Sequence, residues 1–202
     1  MVSRLSFEII EWPDKIFYIR LSGTIDEDND LDEITQHLCG KTAVINTADL
    51  DRINSCGVRE WMLWLAQLEK NGITLFFIEC SPSIIAQVNL VDNFLASGTI
   101  INFFSPYYCL NCNIDKMLLI DIGEAKESKS FKVPTSNCDQ CGHAMEFDDL
   151  EGSYFGFLQA VDGEFKDPAM VERIKSYSCN AESKLRARSL GSIPSAAKAP
   201  SS

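Results

Sequence analysis

Residues 42–47, Thr42-Ala43-Val44-Ile45-Asn46-Thr47, decide the fold of this chain of 202 residues. The run is apolar and bounded by turn residues, which is typical of a strand buried within a sheet. Residues 73–78 form a second run of this kind. Between the two runs, apolar residues recur every three or four positions, as on the buried face of an amphipathic helix: Val58, Trp61, Met62, Leu65 and Leu68. Strand, helix and strand in succession predict an α/β fold.

Further strands and helices alternate on both sides of this unit. Each is marked by its hydrophobic period and by the turn residues at its ends. The predicted strands are residues 7–12, 15–21 and 99–104, and the predicted helices are residues 31–38 and a segment that begins at Pro82. The first domain, residues 1–106, is therefore predicted to be a mixed β-sheet with helices.

Two Cys-x-x-Cys pairs come next, Cys109-Leu110-Asn111-Cys112 and Cys138-Asp139-Gln140-Cys141, with 25 residues between them. A tight turn can direct both sulfurs of a pair at one ion, and two such turns complete the tetrahedral four-sulfur shell that zinc favours. The pairs predict a small β zinc ribbon over residues 107–147, with a structural Zn²⁺ held by these four cysteines. Four thiolates leave no open coordination position, so a catalytic zinc is not expected.

The remaining cysteines are scattered along the chain, and the sequence begins without a signal-peptide pattern. No apolar stretch reaches the length of a membrane span, so we expect a cytoplasmic protein with reduced thiols. The scattered cysteines are then expected to pack as small buried hydrophobes. They are Cys39, Cys56, Cys80 and Cys179.

The net charge of −11 is unevenly distributed along the chain. Residues 173–202 carry a net charge of +5, and residues 1–172 carry −16. A body this negative repels phosphate backbones, so nucleic-acid binding by the ordered part is not expected. The tail from residue 176 is rich in Ser, Ala, Pro and Arg and is predicted to be disordered. For residues 148–175 we predict only a segment that packs on the body.

Three short motifs resemble the STAS domain, the fold of bacterial anti-sigma-factor antagonists. The order of predicted strands and helices over about the first half of the chain is similar to that of the family. One motif is the exit from the second strand, another is the loop before the central helix, and the third leads into the fourth strand. They are Leu21-Ser22-Gly23-Thr24-Ile25-Asp26, Leu50-Asp51-Arg52-Ile53-Asn54-Ser55-Cys56-Gly57-Val58 and Gly72-Ile73-Thr74-Leu75.

The resemblance implies a non-enzymatic, protein-binding regulatory module in a bacterial signalling complex. Its partner would be a kinase-like or scaffold regulator, bound through Asn54, Ser55, Cys56 and Gly57 and the helix after them. In the family, a partner kinase phosphorylates the serine directly before the loop glycine, but here that position is Cys56. Ser55 is the remaining candidate for phosphorylation, although its role as the helix N-cap is favoured. Trp64 lies off the apolar stripe of the helix and is predicted to be an exposed partner contact.

Other hypotheses remain open at this stage. A nucleic-acid-associated regulator would use the zinc ribbon and the basic tail. A redox sensor would use the zinc thiolates or Cys56, whose thiol pKa a helix N-terminus can lower. His143, two residues after the last cysteine of the pairs, is an alternative metal ligand. No glycine-rich phosphate loop, catalytic triad or carboxylate pair is found, and catalytic residues are therefore not predicted.

Overall fold

The computed structural model describes residues 4–127, 132–159 and 165–189, and residues 42–47 begin the central strand of a five-stranded sheet. The strand order is β1-β2-β3-β4-β5. The first two strands form an antiparallel pair, and every later pair is parallel. The predicted α/β fold with a mixed sheet is confirmed. The strands are β1 (Ser6–Trp12), β2 (Ile16–Ile25), β3 (Thr42–Ile53), β4 (Thr74–Ile78) and β5 (Thr99–Ile100).

Three helices connect the parallel strands: α1 (Asp32–Thr35), α2 (Ser55–Lys70) and α3 (Pro82–Leu90). The apolar stripe of α2 is buried as its period predicts, with Trp61, Leu65 and Leu68 fully enclosed. The Trp61 indole also donates a hydrogen bond of 3.1 Å to the carbonyl of Phe94, so its polar group has a partner in the core. These helices and the sheet enclose one hydrophobic core.

A second, antiparallel sheet has the strand order β7-β6-β9-β8. The predicted strand over residues 99–104 is divided between the two sheets at Ile101. The Ile101 amide donates a hydrogen bond to the carbonyl of Phe77 in the first sheet. The Ile101 carbonyl accepts a hydrogen bond from the amide of Ile122, which directly follows a strand of the second sheet. The predicted domain boundary at residue 106 lies within β6. These strands are β6 (Asn102–Cys109), β7 (Ile114–Asp121), β8 (Ser136–Asn137) and β9 (Ala144–Phe147).

The chain after the second sheet packs on the same core through aromatic side chains. It contains α5 (Glu151–Tyr154) and a 3-10 turn over Gly156–Gln159. The helix α4 (Ile122–Glu127) lies earlier in the chain, directly after β7. Phe103 of β6 contacts the rings of Tyr154, Phe155 and Phe157 at centroid distances of 5.1–6.4 Å. Part of the segment 148–175, which we predicted only to pack on the body, therefore covers the core.

The described residues from Lys166 to Ser189 belong to a second compact unit, which contains α6 (Pro168–Ser189). The Asp167 side chain accepts the Met170 amide at 2.9 Å, as an N-cap does. Residues 176–189, predicted to be disordered, are helical here because Ala, Glu, Lys, Leu and Arg favour a helix. Residues 190–202 lie outside the described residues. Among the described helices, none has the length and apolar character that crossing a membrane requires.

Candidate metal centre

Each Cys-x-x-Cys pair forms the turn of a β-hairpin. Cys109 ends β6, and the chain turns through Cys112 into β7. Cys138 directly follows β8, and the chain turns through Cys141 toward β9. The predicted ribbon geometry, with one tight turn for each pair, is thus present in the structure.

The two turns share the same backbone pattern. The carbonyl of the first cysteine accepts the amide of the residue four positions later, Asn113 to Cys109 at 2.8 Å and Gly142 to Cys138 at 2.9 Å. These later residues have positive φ angles, 53° for Asn113 and 72° for Gly142. Glycine adopts this conformation freely, and asparagine is one of the few other residues that tolerate it. The role of Asn113 was not predicted, although an Asn directly after the cysteine pair was the available signal.

Strand pairing brings the two hairpins together. Tyr107 and Tyr108 of β6 pair with Phe147 and Glu146 of β9. The Tyr107 hydroxyl donates a hydrogen bond of 2.5 Å to the carbonyl of Pro134, which lies ahead of the second cysteine turn. Burial raises the pKa of this tyrosine, so the hydroxyl remains a donor at neutral pH. Both turns are therefore held to β6, one covalently and the other by hydrogen bonds.

The four sulfur atoms lie within 4.8 Å of one another, and those of Cys109 and Cys141 are 3.6 Å apart. A tetrahedral zinc with Zn–S bonds of about 2.3 Å needs sulfurs about 3.8 Å apart, so the cluster fits this ion. Cys109 and Cys138 are buried, and Cys112 and Cys141 are half-buried. The four cysteines could therefore hold a metal ion, in a site compatible with structural zinc.

Hydrogen bonds lower the pKa of one thiol in this cluster and raise the pKa of another. The backbone amide of His143 and the neighbouring Cys112 thiol lower the pKa of Cys141 to about 5. The same hydrogen bond raises the pKa of Cys112, because the Cys112 thiol keeps its proton when it donates to the Cys141 thiolate. A bound dication removes this conflict and favours deprotonation of all four. His143 acts on Cys141 chiefly through its backbone and to a smaller degree through its side chain, which is exposed and is not one of the four clustered ligands.

Lys116 of β7 connects the first hairpin to the second. Its ammonium group lies 3.1 Å from the carbonyl oxygen of Asn137 and 2.7 Å from a carboxylate oxygen of Asp139. Asp139 is one of the two residues between the cysteines of the second pair. The cation also lies close to a site that four thiolates make negative. We did not predict this role, and a lone lysine in a strand carries no recognisable sequence signal for it.

The predicted partner loop lies at the N-terminus of α2. The N-cap is Asn54, not Ser55, because the Asn54 side chain accepts the amide of Gly57 at 2.7 Å. Ser55 and Cys56 are exposed to solvent, so Cys56 is not the buried hydrophobe that we expected. Cys39 is likewise exposed, whereas Cys80 is buried as predicted.

The prediction that Trp64 is exposed is wrong, because only 2% of its surface is accessible. Its indole donates a hydrogen bond of 3.0 Å to the Thr35 hydroxyl, and its ring lies 5.4 Å from that of Trp61. The segment around α1 packs on this side of α2. The buried face of α2 is therefore wider than the three-to-four period of its apolar residues predicts. Trp64 is consequently a core residue and not the exposed side chain that we predicted.

No protein-family model matches this chain, and the search of curated proteins found no match. The residues of the site and their chemistry are therefore the basis for assigning a function.

Proposed function

We propose that this protein is a non-enzymatic, STAS-like regulatory module that binds a protein partner in a bacterial signalling complex, with a structural zinc in its second sheet. The structural role of the metal is supported by the four cysteine ligands, which leave no position for water or substrate. The hairpins on which they lie are short, and a metal supplies stability that such small elements lack.

The observation that carries the proposal is the hydrogen-bonded start of α2, residues 54–57, at which Ser55 and Cys56 are exposed. The Asn54 amide bonds to the carbonyl of Ile25 at 3.1 Å, and its side chain bonds to Glu27 at 2.8 Å and to Gly57. These bonds hold the backbone of the loop while Ser55 and Cys56 face solvent. A preorganised loop loses little conformational entropy on binding, which favours its use as a recognition surface.

Affinity capture with a Ser55→Arg variant tests this proposal. Arginine at Ser55 adds a bulky charge on the exposed surface, and Ser153→Arg makes the same change at another exposed serine. We expect quantitative mass spectrometry to show a partner that wild type and Ser153→Arg recover and that Ser55→Arg loses. Equal recovery of each captured protein by both variants would contradict the proposed surface. Gly57 is unsuitable for this test because its Cβ would lie 2.3 Å from the Ile25 carbonyl oxygen.

Native mass spectrometry tests the metal. We expect each chain to carry one zinc ion, and a Cys138→Ser variant to lose it or bind it more weakly. Denaturation in acid should release the ion by protonating the thiolates. If the protein carries no zinc although every purification buffer contains it, the proposal of a structural zinc is contradicted.

A further inference from the structure

A groove lies between the loop that precedes α1 and the exposed side of α2. Its volume is about 310 Å³, at the lower end of the range of roughly 300–1,000 Å³ typical of ligand pockets. A site of this size accepts a few side chains rather than a whole helix. The lining residues are Asn29, Asp30, Leu31, Asp32, Glu60, Leu63, Trp64 and Gln67.

The floor of the groove is apolar and fixed in place. Leu31 and Trp64 are buried, and the hydrogen bond from Trp64 to Thr35 holds the indole ring in one orientation. Leu63 stands at the rim with 55% of its surface exposed. Leu63 adds an exposed apolar surface beside the buried tryptophan.

The rim of the groove is negatively charged. Asp30, Asp32 and Glu60 contribute carboxylates, and no lysine or arginine belongs to the lining. The Asp30 carboxylate accepts the backbone amide of Asp32 at 3.0 Å. The side chains of Asp32 and Glu60 form no hydrogen bond or ion pair within the described residues. Their charges are therefore available to a cation brought by a partner.

The loop at the rim is joined to the partner-binding loop. The Asn29 side chain accepts the backbone amide of Asp26 at 2.6 Å, and the Glu27 carboxylate next to it accepts from Asn54 at 2.8 Å. Asn54 caps α2, whose exposed side carries Glu60 and Leu63. Cys56 and the groove residues Glu60, Leu63 and Gln67 recur every three or four positions, so the exposed start of α2 and the groove lie along one face of the helix.

We propose that this groove binds a basic segment of the protein partner, with lysine or arginine side chains at Asp32 and Glu60 and an aliphatic side chain against Leu63. Complementary charge accelerates encounter and excludes acidic partners, whereas the apolar contact supplies much of the affinity. This inference rests on the proposed function, because it assigns the chemistry of the same partner.

Nuclear magnetic resonance titration with a synthetic peptide tests the groove. The probe is acetyl-Lys-Leu-Lys-Lys-Leu-Lys-Lys-Leu-amide, and the matched peptide has glutamate in place of each lysine. The groove variant is Asp32→Asn/Glu60→Gln. The control variant, Glu8→Gln/Glu11→Gln, removes the same net charge from exposed positions on β1. Both sets of substitutions retain side-chain size.

We expect the basic peptide to shift the Leu63 amide and the Trp64 indole resonances. Two rim charges account for about a fivefold weakening of binding by the groove variant, and the control variant should bind as wild type does. Equal weakening by both variants would overturn the proposal, because net charge alone would then explain binding. Equal binding of the glutamate peptide would also overturn the proposal. The proposal would fail as well if calcium chloride alone, or a higher protein concentration, produced the same resonance shifts as the basic peptide.

The capture experiment separates this inference from the proposed function. If the peptide does not bind the groove but Ser55→Arg still loses its partner, the basic-segment proposal fails and the proposed function stands. If Ser55→Arg and Ser153→Arg recover the same proteins, the proposed function fails whatever the peptide does. A Leu63→Ser variant that binds the peptide as tightly as wild type would refute the apolar contact specifically.

Discussion

Replacing Gly57 with alanine should destabilise the protein, although alanine is the better helix former. Gly57 lies in the first turn of α2, where helix propensity alone predicts that alanine stabilises by about 1 kcal/mol. A Cβ at this position would, however, lie 2.3 Å from the Ile25 carbonyl oxygen and 2.6 Å from its carbonyl carbon. Both atoms belong to backbone, which cannot rotate away as a flexible side chain does.

The size of the effect follows from the movement required. Contacts of a Cβ below 3.0 Å essentially do not occur, so α2 and the end of β2 must separate by at least 0.7 Å. Overpacking of this kind destabilises by about 1–3 kcal/mol. The movement also weakens the bond from Gly57 to Asn54, and loss of an N-cap removes about 1 kcal/mol. After the gain in propensity is subtracted, we expect a net destabilisation of about 2 kcal/mol.

Urea unfolding followed by tryptophan fluorescence, with zinc in excess, measures this difference. Two of the three tryptophans, Trp61 and Trp64, lie on α2 and report its loss directly. For a chain of this length the same change lowers the melting temperature by about 4–8 °C. Gly152→Ala is the matched control, because no atom lies within 4 Å of its added Cβ. It should be neutral or stabilising by up to about 1 kcal/mol.

A Gly57→Ala protein as stable as wild type would refute the reasoning, since the close approach to Ile25 would then have no energetic consequence. Equal destabilisation by Gly57→Ala and Gly152→Ala would also refute it. Gly72→Ala provides a separate comparison, because φ is +78° there and the surrounding space is open. It should destabilise by about 1–2 kcal/mol through backbone strain alone.

Three further predictions concern other contacts. Lys116→Met should weaken zinc binding about tenfold, because outer-shell contacts orient metal ligands. Competition with a chromophoric chelator measures this affinity, and the control variant Lys70→Met should bind zinc as wild type does. Asn89→Ala should lower the free energy of unfolding by about 2–3 kcal/mol in urea titrations, since its side chain bonds to the carbonyls of Ile85 and Tyr154 and to the amide of Phe157. At pH 8, peptide mapping should find Cys56 alkylated and Cys80 protected, because burial encloses the Cys80 thiol and raises its pKa to about 12; alkylation of both at equal rates would contradict this.

Several elements were predictable because their signals are local. Alternation and the three-to-four period record which side chains are buried, so the run at residues 42–47 and the stripe of α2 were found without a structure. The cysteine spacing likewise indicates a metal turn, since the residues that form each turn are neighbours in sequence.

Errors arose where a residue's surroundings come from distant parts of the chain. Trp64 is buried by the segment around α1, and no pattern within α2 indicates that cover. The N-cap was misplaced by one residue because both Asn54 and Ser55 are good capping residues, and the hydrogen bond to Gly57 distinguishes them. The strand at residues 99–104 divides between two sheets because Ile101 bonds to both, which its own apolar character does not reveal.

The metal centre shows the same division most clearly. Residue spacing alone identifies the four cysteines, because each turn closes over four consecutive residues. The pairing of β6 with β9 and the contact of Lys116 with the second turn join the hairpins of two cysteine pairs that have 25 residues between them. The acidic groove between Asp32 and Glu60 is also assembled from separate elements. Such contacts depend on long-range packing, for which a single sequence carries no local period, and only the folded chain brings these groups together.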